Sequence, residues 1–167
     1  MGQPYKAFFF SGLHLSKLYF MIPQSLNILI VEDALIIIKQ LYHLLSDKQT
    51  TLNIQIAESA ELGLQKMNEQ FPDVLILDIK LPGISGLELL NKVKTEYPSS
   101  SPLIIFLTNM PHSTYRYECL NKGAHFFLDK SRDFLLLPEI IDKFIINRDF
   151  NKVISYPLIS NLCNTNS

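Results

Sequence analysis

The sequence predicts an α/β fold, with five parallel strands in one sheet doubly wound by five helices that cover both faces. Two observations predict it. Five short apolar runs alternate with five segments of helical periodicity between residues 26 and 147. Four of those runs stop abruptly on polar side chains. The clearest is 73–77, which ends on Asp78 just ahead of a turn containing Pro82 and Gly83. In open sheets of this kind, ligands bind in the crevice outside the carboxyl ends of the strands.

The first strand, 27–31, is apolar throughout and runs into Glu32 and Asp33. Residues 34–46 then place Leu35, Ile38, Leu41, Tyr42 and Leu45 at helical spacing, which marks them as an inner face. Residues 52–57 alternate as a strand does, with Leu52, Ile54 and Ile56 on one side. Ser59 is a candidate N-cap for a helix burying Leu62, Leu64 and Met67. After the third strand a helix begins near Ser85, buries Leu87, Leu89, Leu90 and Val93, and ends before Pro98. The fourth strand, 102–107, terminates on Thr108 and Asn109. Pro111 is placed to open a helix running to about Lys122, with Gly123 as its C-terminal cap. The fifth strand, 124–128, ends near Asp129 and Lys130. The last helix starts near Arg132 and carries Phe134, Leu135, Leu137, Ile140, Ile141, Phe144 and Ile145. Pro138 falls in its first turns, where it does least harm.

The totals bound the rest. Of 167 residues, 47% are hydrophobic and 19% charged, enough for a real core in one domain, expected over 26–147. The formal net charge of -1 gives no general attraction to nucleic acid or to an anionic membrane. No uninterrupted apolar stretch approaches the roughly 18 residues of a membrane span. Cys119 and Cys163 fit no metal or disulfide spacing and read as free thiols in a reducing, cytoplasmic setting. Residues 1–25 carry Lys6 and Lys17, no acid, and an aromatic cluster at Phe8, Phe9 and Phe10. They start as a secretory signal would, but His14 and Lys17 interrupt the centre and no small-residue cleavage site follows. We read them as an extension, with Met21 as the natural start. Residues 148–167, rich in Asn and Ser, read as a loose tail too short for an output domain, and no helix-turn-helix follows the sheet.

Strand-end residues taken singly have bland explanations, since Asp commonly ends strands and starts turns. Jointly, Glu32, Asp33, Asp78, Thr108 and Lys130 fall at one edge of one sheet, where chance would scatter them. The chemistry they suit is phosphoryl transfer to a carboxylate. Mg²⁺ takes oxygen ligands, usually one or two carboxylates plus phosphate oxygens. Asp33 and Asp78 are candidate ligands, with Glu32 acting directly or through water. Three carboxylates packed together without a cation would raise some of their pKa values, so the acidic cluster implies a metal. Asp78 can attack phosphorus while Lys130 neutralises equatorial oxygens and the Thr108 hydroxyl hydrogen-bonds one of them.

At these residues the chain resembles the receiver domains of two-component response regulators, which have a flavodoxin-like, CheY-like fold. The resemblance covers about 26–147. It is carried by Val31, Glu32 and Asp33; by 77–83 with Ser85 and Gly86; by Leu107, Thr108 and Asn109; and by Gly123 and Ala124 through Asp129, Lys130 and Ser131. It implies that Asp78 is the phospho-acceptor, that Glu32 and Asp33 are the acidic Mg²⁺ pair, and that Lys80 gives a backbone carbonyl to the metal. It further implies that Thr108 is the switch hydroxyl, that Lys130 pairs with the phosphate, and that Phe127 is the aromatic switch. Three departures stand out. Ser131 replaces the proline that usually follows the lysine, Asn109 replaces a smaller residue, and Phe127 lacks the hydroxyl of the commoner Tyr.

The implied function is a phosphorelay switch rather than an enzyme. A sensor histidine kinase or phosphotransfer protein supplies the phosphoryl group, and a downstream protein reads the fourth helix, fifth strand and fifth helix. That face also serves for dimers in some members. Tyr115, Arg116 and Tyr117 are candidate contacts there, against a default of solvated surface. Lys80 and Met110 flank the route of a water attacking the acyl phosphate, and Lys80 is either a brake on that water or a solvated loop residue. An aspartate-nucleophile hydrolase would need a second acid two residues after the nucleophile, where Lys80 stands. A purely structural domain with a vestigial site would not be expected to keep the acids, Thr108 and Lys130 together. His14, His43, His112 and His125 are scattered and read as surface or core residues.

Overall fold

A computed structural model describes residues 25–46, 52–100 and 102–147. The 1–24 extension with Met21 and His14, and the 148–167 tail with Cys163, lie outside the described residues. The elements alternate strictly: β1 (Leu26–Val31), α1 (Leu35–Ser46), β2 (Leu52–Ala57), α2 (Ala60–Glu69), β3 (Val74–Leu77), α3 (Gly86–Glu96), β4 (Leu103–Thr108), α4 (Ser113–Asn121), β5 (Phe126–Asp129) and α5 (Leu137–Asn147). All strand pairs are parallel, in the order β2-β1-β3-β4-β5.

That order explains the all-apolar strands. Each central strand is covered on both sides, so both sets of alternating side chains must be buried. One set, including Ile28, Ile30, Ile76, Ile105 and Phe126, packs under α1 and α5. The other, including Leu29, Val31, Leu75, Leu77, Phe106 and Phe127, packs under α2, α3 and α4. The polar exception is the outer strand β2, where Asn53 and Gln55 donate to a cluster of side-chain amides with Asn27 and Gln70.

Several helix faces differ from the expectation. On α1, Ile38, Leu41 and Leu45 are buried as expected, but Leu35 is 60% and Tyr42 50% exposed, and Ile37 and Leu44 pack beside the buried three in their place. Leu62 of α2 is 45% exposed, although Ser59 does cap that helix, accepting from the Leu62 amide. Pro111 lies ahead of α4, whose N-cap is His112 with no side-chain hydrogen bond. The last helix begins five residues later than Arg132. A turn of 3-10 helix, Phe134–Leu136, fills the gap and leaves Leu135 76% exposed. Gly123 ends α4 as expected, at φ 95°: its amide bonds Leu120 O and the next amide bonds Cys119 O, a paired closure that favours glycine.

His125 is half-buried and has an unforeseen use. Its Nδ1 accepts the Ile104 amide at 3.0 Å while its own amide donates to Ile104 O, extending the β4–β5 ladder beyond the strand. Burial pushes its pKa down to about 4, with Lys94 adding to the shift. Cys119 is also buried, and burial pushes its thiol up to about 12.

Candidate functional site

The strand order brings the separate polar ends together. β1 turns to β2 on one side and pairs β3 on the other, so the crevice of the sheet opens between β1 and β3. The register sets Val31 beside Leu77 and Leu77 beside Phe106. The next residues, Glu32, Asp33 and Asp78, therefore emerge side by side, and Thr108 ends β4 one strand further on. Backbone bonds extend the sheet past the strands: the Asp78 amide donates to Val31 O at 3.1 Å and the Lys130 amide to Thr108 O at 2.9 Å.

Lys130 organises the charge. Its Nζ lies 2.6 Å from Glu32 Oε2 and 2.9 Å from Asp78 Oδ2, with all three side chains nearly inaccessible. Every buried polar side-chain atom there has a hydrogen-bond partner, but one ammonium offsets only part of the charge of two carboxylates. Asp78 Oδ1 accepts the Ile79 amide at 2.7 Å, and Glu32 Oε1 accepts the Ala34 amide at 3.2 Å. Burial raises the pKa of Glu32, the Asp78 charge adds to the rise, and Lys130 offsets part of it. Asp33 is exposed at the mouth, and carboxylate oxygens of Glu32, Asp33 and Asp78 all lie within 4.8 Å of one another. An all-oxygen donor set of this size suits a hard divalent cation such as Mg²⁺.

The cleft has a volume of about 570 Å³, and Lys80, Pro82, Thr108, Asn109 and Met110 are among the other residues that line it. Thr108 is fully buried, and its hydroxyl accepts the Met110 amide at 3.2 Å. Lys80 is exposed at the rim. Phe127 does not reach the cleft: its ring is buried in the α2–α3–α4 core, with the Arg116 guanidinium carbon 5.0 Å from the ring centroid. Arg116 is thus half-buried against an aromatic face rather than solvated surface.

Three supports were not foreseen. Ser85 and Glu88 form a reciprocal capping box at the start of α3, a Ser-x-x-Glu spacing visible in the sequence. Gly86 sits so close to the site that a Cβ there would lie 1.9 Å from Asp78 O, a contact no sequence pattern announces. After β5, where proline is usual, Asp129 holds the turn instead. Its carboxylate accepts the Ser131 amide at 2.7 Å and Arg132 Nε at 2.9 Å, and the Ser131 amide is the main cause of its lowered pKa.

Comparison with known proteins agrees with this geometry. The family model described as the response regulator receiver domain matches residues 28–142. A response regulatory protein of Vibrio parahaemolyticus is 32% identical over 133 residues, covering 78% of this chain and 49% of that protein. The sensory transduction protein LytT of Oceanobacillus iheyensis is 31% identical, over 73% of this chain and 46% of its own. The chain thus spans about half the length of these curated relatives. A crystal structure of a CheY-like receiver domain protein from Methanospirillum hungatei superposes with a TM-score of 0.63 at 29% identity, covering 73% of this chain and 94% of that one. A family model that covers most of the described residues, and a parallel sheet whose strand ends converge on Asp78, lead to one conclusion: the chain belongs to the receiver domains of two-component response regulators.

Proposed function

We propose that this receiver accepts a phosphoryl group on Asp78 and that Glu32, Asp33, Thr108 and Lys130 assist the transfer. The observation that carries the proposal is the Lys130 ammonium bridging Glu32 and Asp78 at the floor of an acidic cleft. The donor is a phosphohistidine of a sensor kinase or phosphotransfer protein. A carboxylate oxygen of Asp78 forms the new P–O bond as the P–N bond to the donor imidazole breaks, and the nitrogen keeps the electron pair. Glu32, Asp33 and Asp78, with the Lys80 backbone carbonyl, would hold Mg²⁺. When bound, the ion supplies positive charge to phosphoryl oxygens. Lys130 then shifts its hydrogen bonds from Asp78 to a phosphoryl oxygen. The Thr108 hydroxyl, which accepts from the Met110 amide, donates its own proton to another phosphoryl oxygen.

Thr108 and Phe127 are the switch pair in this proposal, and phosphorylation shifts a population between two arrangements of them. The readout face is α4, β5 and α5, used by a downstream protein or by a second copy of the chain. The setting is cytoplasmic; among the described residues no helix is long and apolar enough to cross a membrane. The domain acts as a signalling element, and with Lys80 in the place a phosphohydrolase gives its second acid, release of the phosphoryl group is left to water.

Acetyl phosphate with Mg²⁺ is the test. Intact mass spectrometry should show one added phosphate on the wild-type chain, lost with chelator, and none on Asp78→Asn. Equal behaviour of the two proteins would overturn the assignment.

A further inference from the structure

Helix α4 is the least anchored helix of the fold. It buries Cys119 alone, where α1 and α2 each bury three residues and α3 five. Its first turn has no acidic residue and its N-cap makes no side-chain hydrogen bond, so the amides there gain no support from charge or capping. Its C-terminus is closed by the Gly123 turn. Between these ends, Arg116 lies three residues before Cys119, on the same side of the helix, with its guanidinium over the fully buried ring of Phe127.

A guanidinium against a desolvated aromatic face is attracted by the ring quadrupole, and the contact exists only while ring and helix keep their present places. We propose that Arg116 is a positioning residue that couples α4 to the Phe127 ring, holding the ring inward and the helix docked. The device answers the missing phenol: with no hydroxyl on Phe127, the ring is held by its face rather than its edge. Turning the ring outward breaks the contact and loosens α4 in one step. We take the inward ring to be the arrangement that phosphorylation selects, so by reciprocity whatever holds it inward favours phosphorylation to the same degree. This last link rests on the Asp78 phosphorylation proposed above, whereas the coupling of ring and helix does not.

The test is hydrogen exchange of the 113–121 amides in the 167-residue chain, for Arg116→Met, Arg116→Lys, Phe127→Leu and the Arg116→Met/Phe127→Leu double variant. Arg116→Met should speed exchange in α4 roughly three- to tenfold, the worth of one such contact, with β1 and β3 unchanged. Arg116→Lys, still a cation, should restore most of the protection. Phe127→Leu should loosen α4 likewise, and adding Arg116→Met to it should change nothing more. In parallel, Arg116→Met should need more beryllofluoride for half-saturation, by a similar factor. Wild-type exchange in Arg116→Met, no rescue by Lys, or additive effects in the double variant would each overturn the coupling. A wild-type chain that takes no phosphate on Asp78 while the exchange pattern holds would overturn the phosphorylation reading and leave the coupling intact.

Discussion

At the scale of single residues, the cleft is decided by Lys130. Its ammonium is the counter-charge for two buried carboxylates, so replacing it with an apolar side chain of similar length leaves both unpaired. Lys130→Met should lower stability at neutral pH by about 3 kcal/mol or more, the usual result of removing one partner from a buried ion pair. Millimolar Mg²⁺ should recover part of that loss, because a dication on Glu32, Asp33 and Asp78 stabilises only the folded chain. Urea midpoints with and without Mg²⁺ measure both effects; a midpoint indifferent to Mg²⁺ would count against the metal assignment. Lys80 acts differently. It is exposed at the rim, so Lys80→Ala should leave stability within about 0.5 kcal/mol. If its side chain obstructs the attacking water, the same change should shorten the phosphorylated lifetime several-fold. An unchanged rate of phosphate loss would make it a solvated loop residue.

At the scale of elements, α3 is built into the site. Its capping box at Ser85 and Glu88 fixes where the helix starts, and the Gly86 amide bonds Ile79 O at 2.9 Å. The helix thereby begins directly against the chain that carries Asp78. Gly86→Ala would drive a methyl group into Asp78 O, and backbone rather than a flexible side chain must yield. We expect a loss of about 3 kcal/mol from that overpacking and slower phosphorylation of whatever folds, read by thermal melts and acetyl phosphate labelling. On α1 the misjudged positions, Leu35 and Tyr42, have a visible cause. The start of α1 is Leu35, Ile36, Ile37 and Ile38, so periodicity admits more than one inner stripe there; the direction of the sheet beneath chooses Ile38, Leu41 and Leu45 and leaves Leu35 and Tyr42 outside. Sequence patterns place a helix more firmly than they orient it.

At the scale of the whole molecule, the two apolar layers meet across one sheet, and His125 ties the ends of β4 and β5 together far from the cleft. Its folded pKa of about 4 lies below the ordinary 6.5. As pH falls through 6.5 the unfolded chain takes a proton that the folded chain refuses, so the folded state loses stability progressively down to about pH 4. The full loss is on the order of 3 kcal/mol. Asn at this position offers an oxygen to the Ile104 amide and cannot titrate. His125→Asn should therefore flatten that part of the profile of urea midpoint against pH, and an unaltered profile would assign the loss to other groups.

Much of this was legible before any coordinates. The alternation of apolar runs with helical segments determined the α/β class, because buried parallel strands need apolar side chains on both faces. The polar residues ending four strands named Glu32, Asp33, Asp78, Thr108 and Lys130, since a parallel sheet brings all its carboxyl ends to one edge. What only the tertiary structure decided were contacts between residues distant in the chain and unmarked by any spacing. These are Lys130 shared between Glu32 and Asp78, Arg116 over Phe127, Gly86 against Asp78 O, and His125 as an acceptor for Ile104. Periodicity reports which side of an element is buried, but the partner across the interface depends on how elements twist and pack, and that is a property of the folded whole.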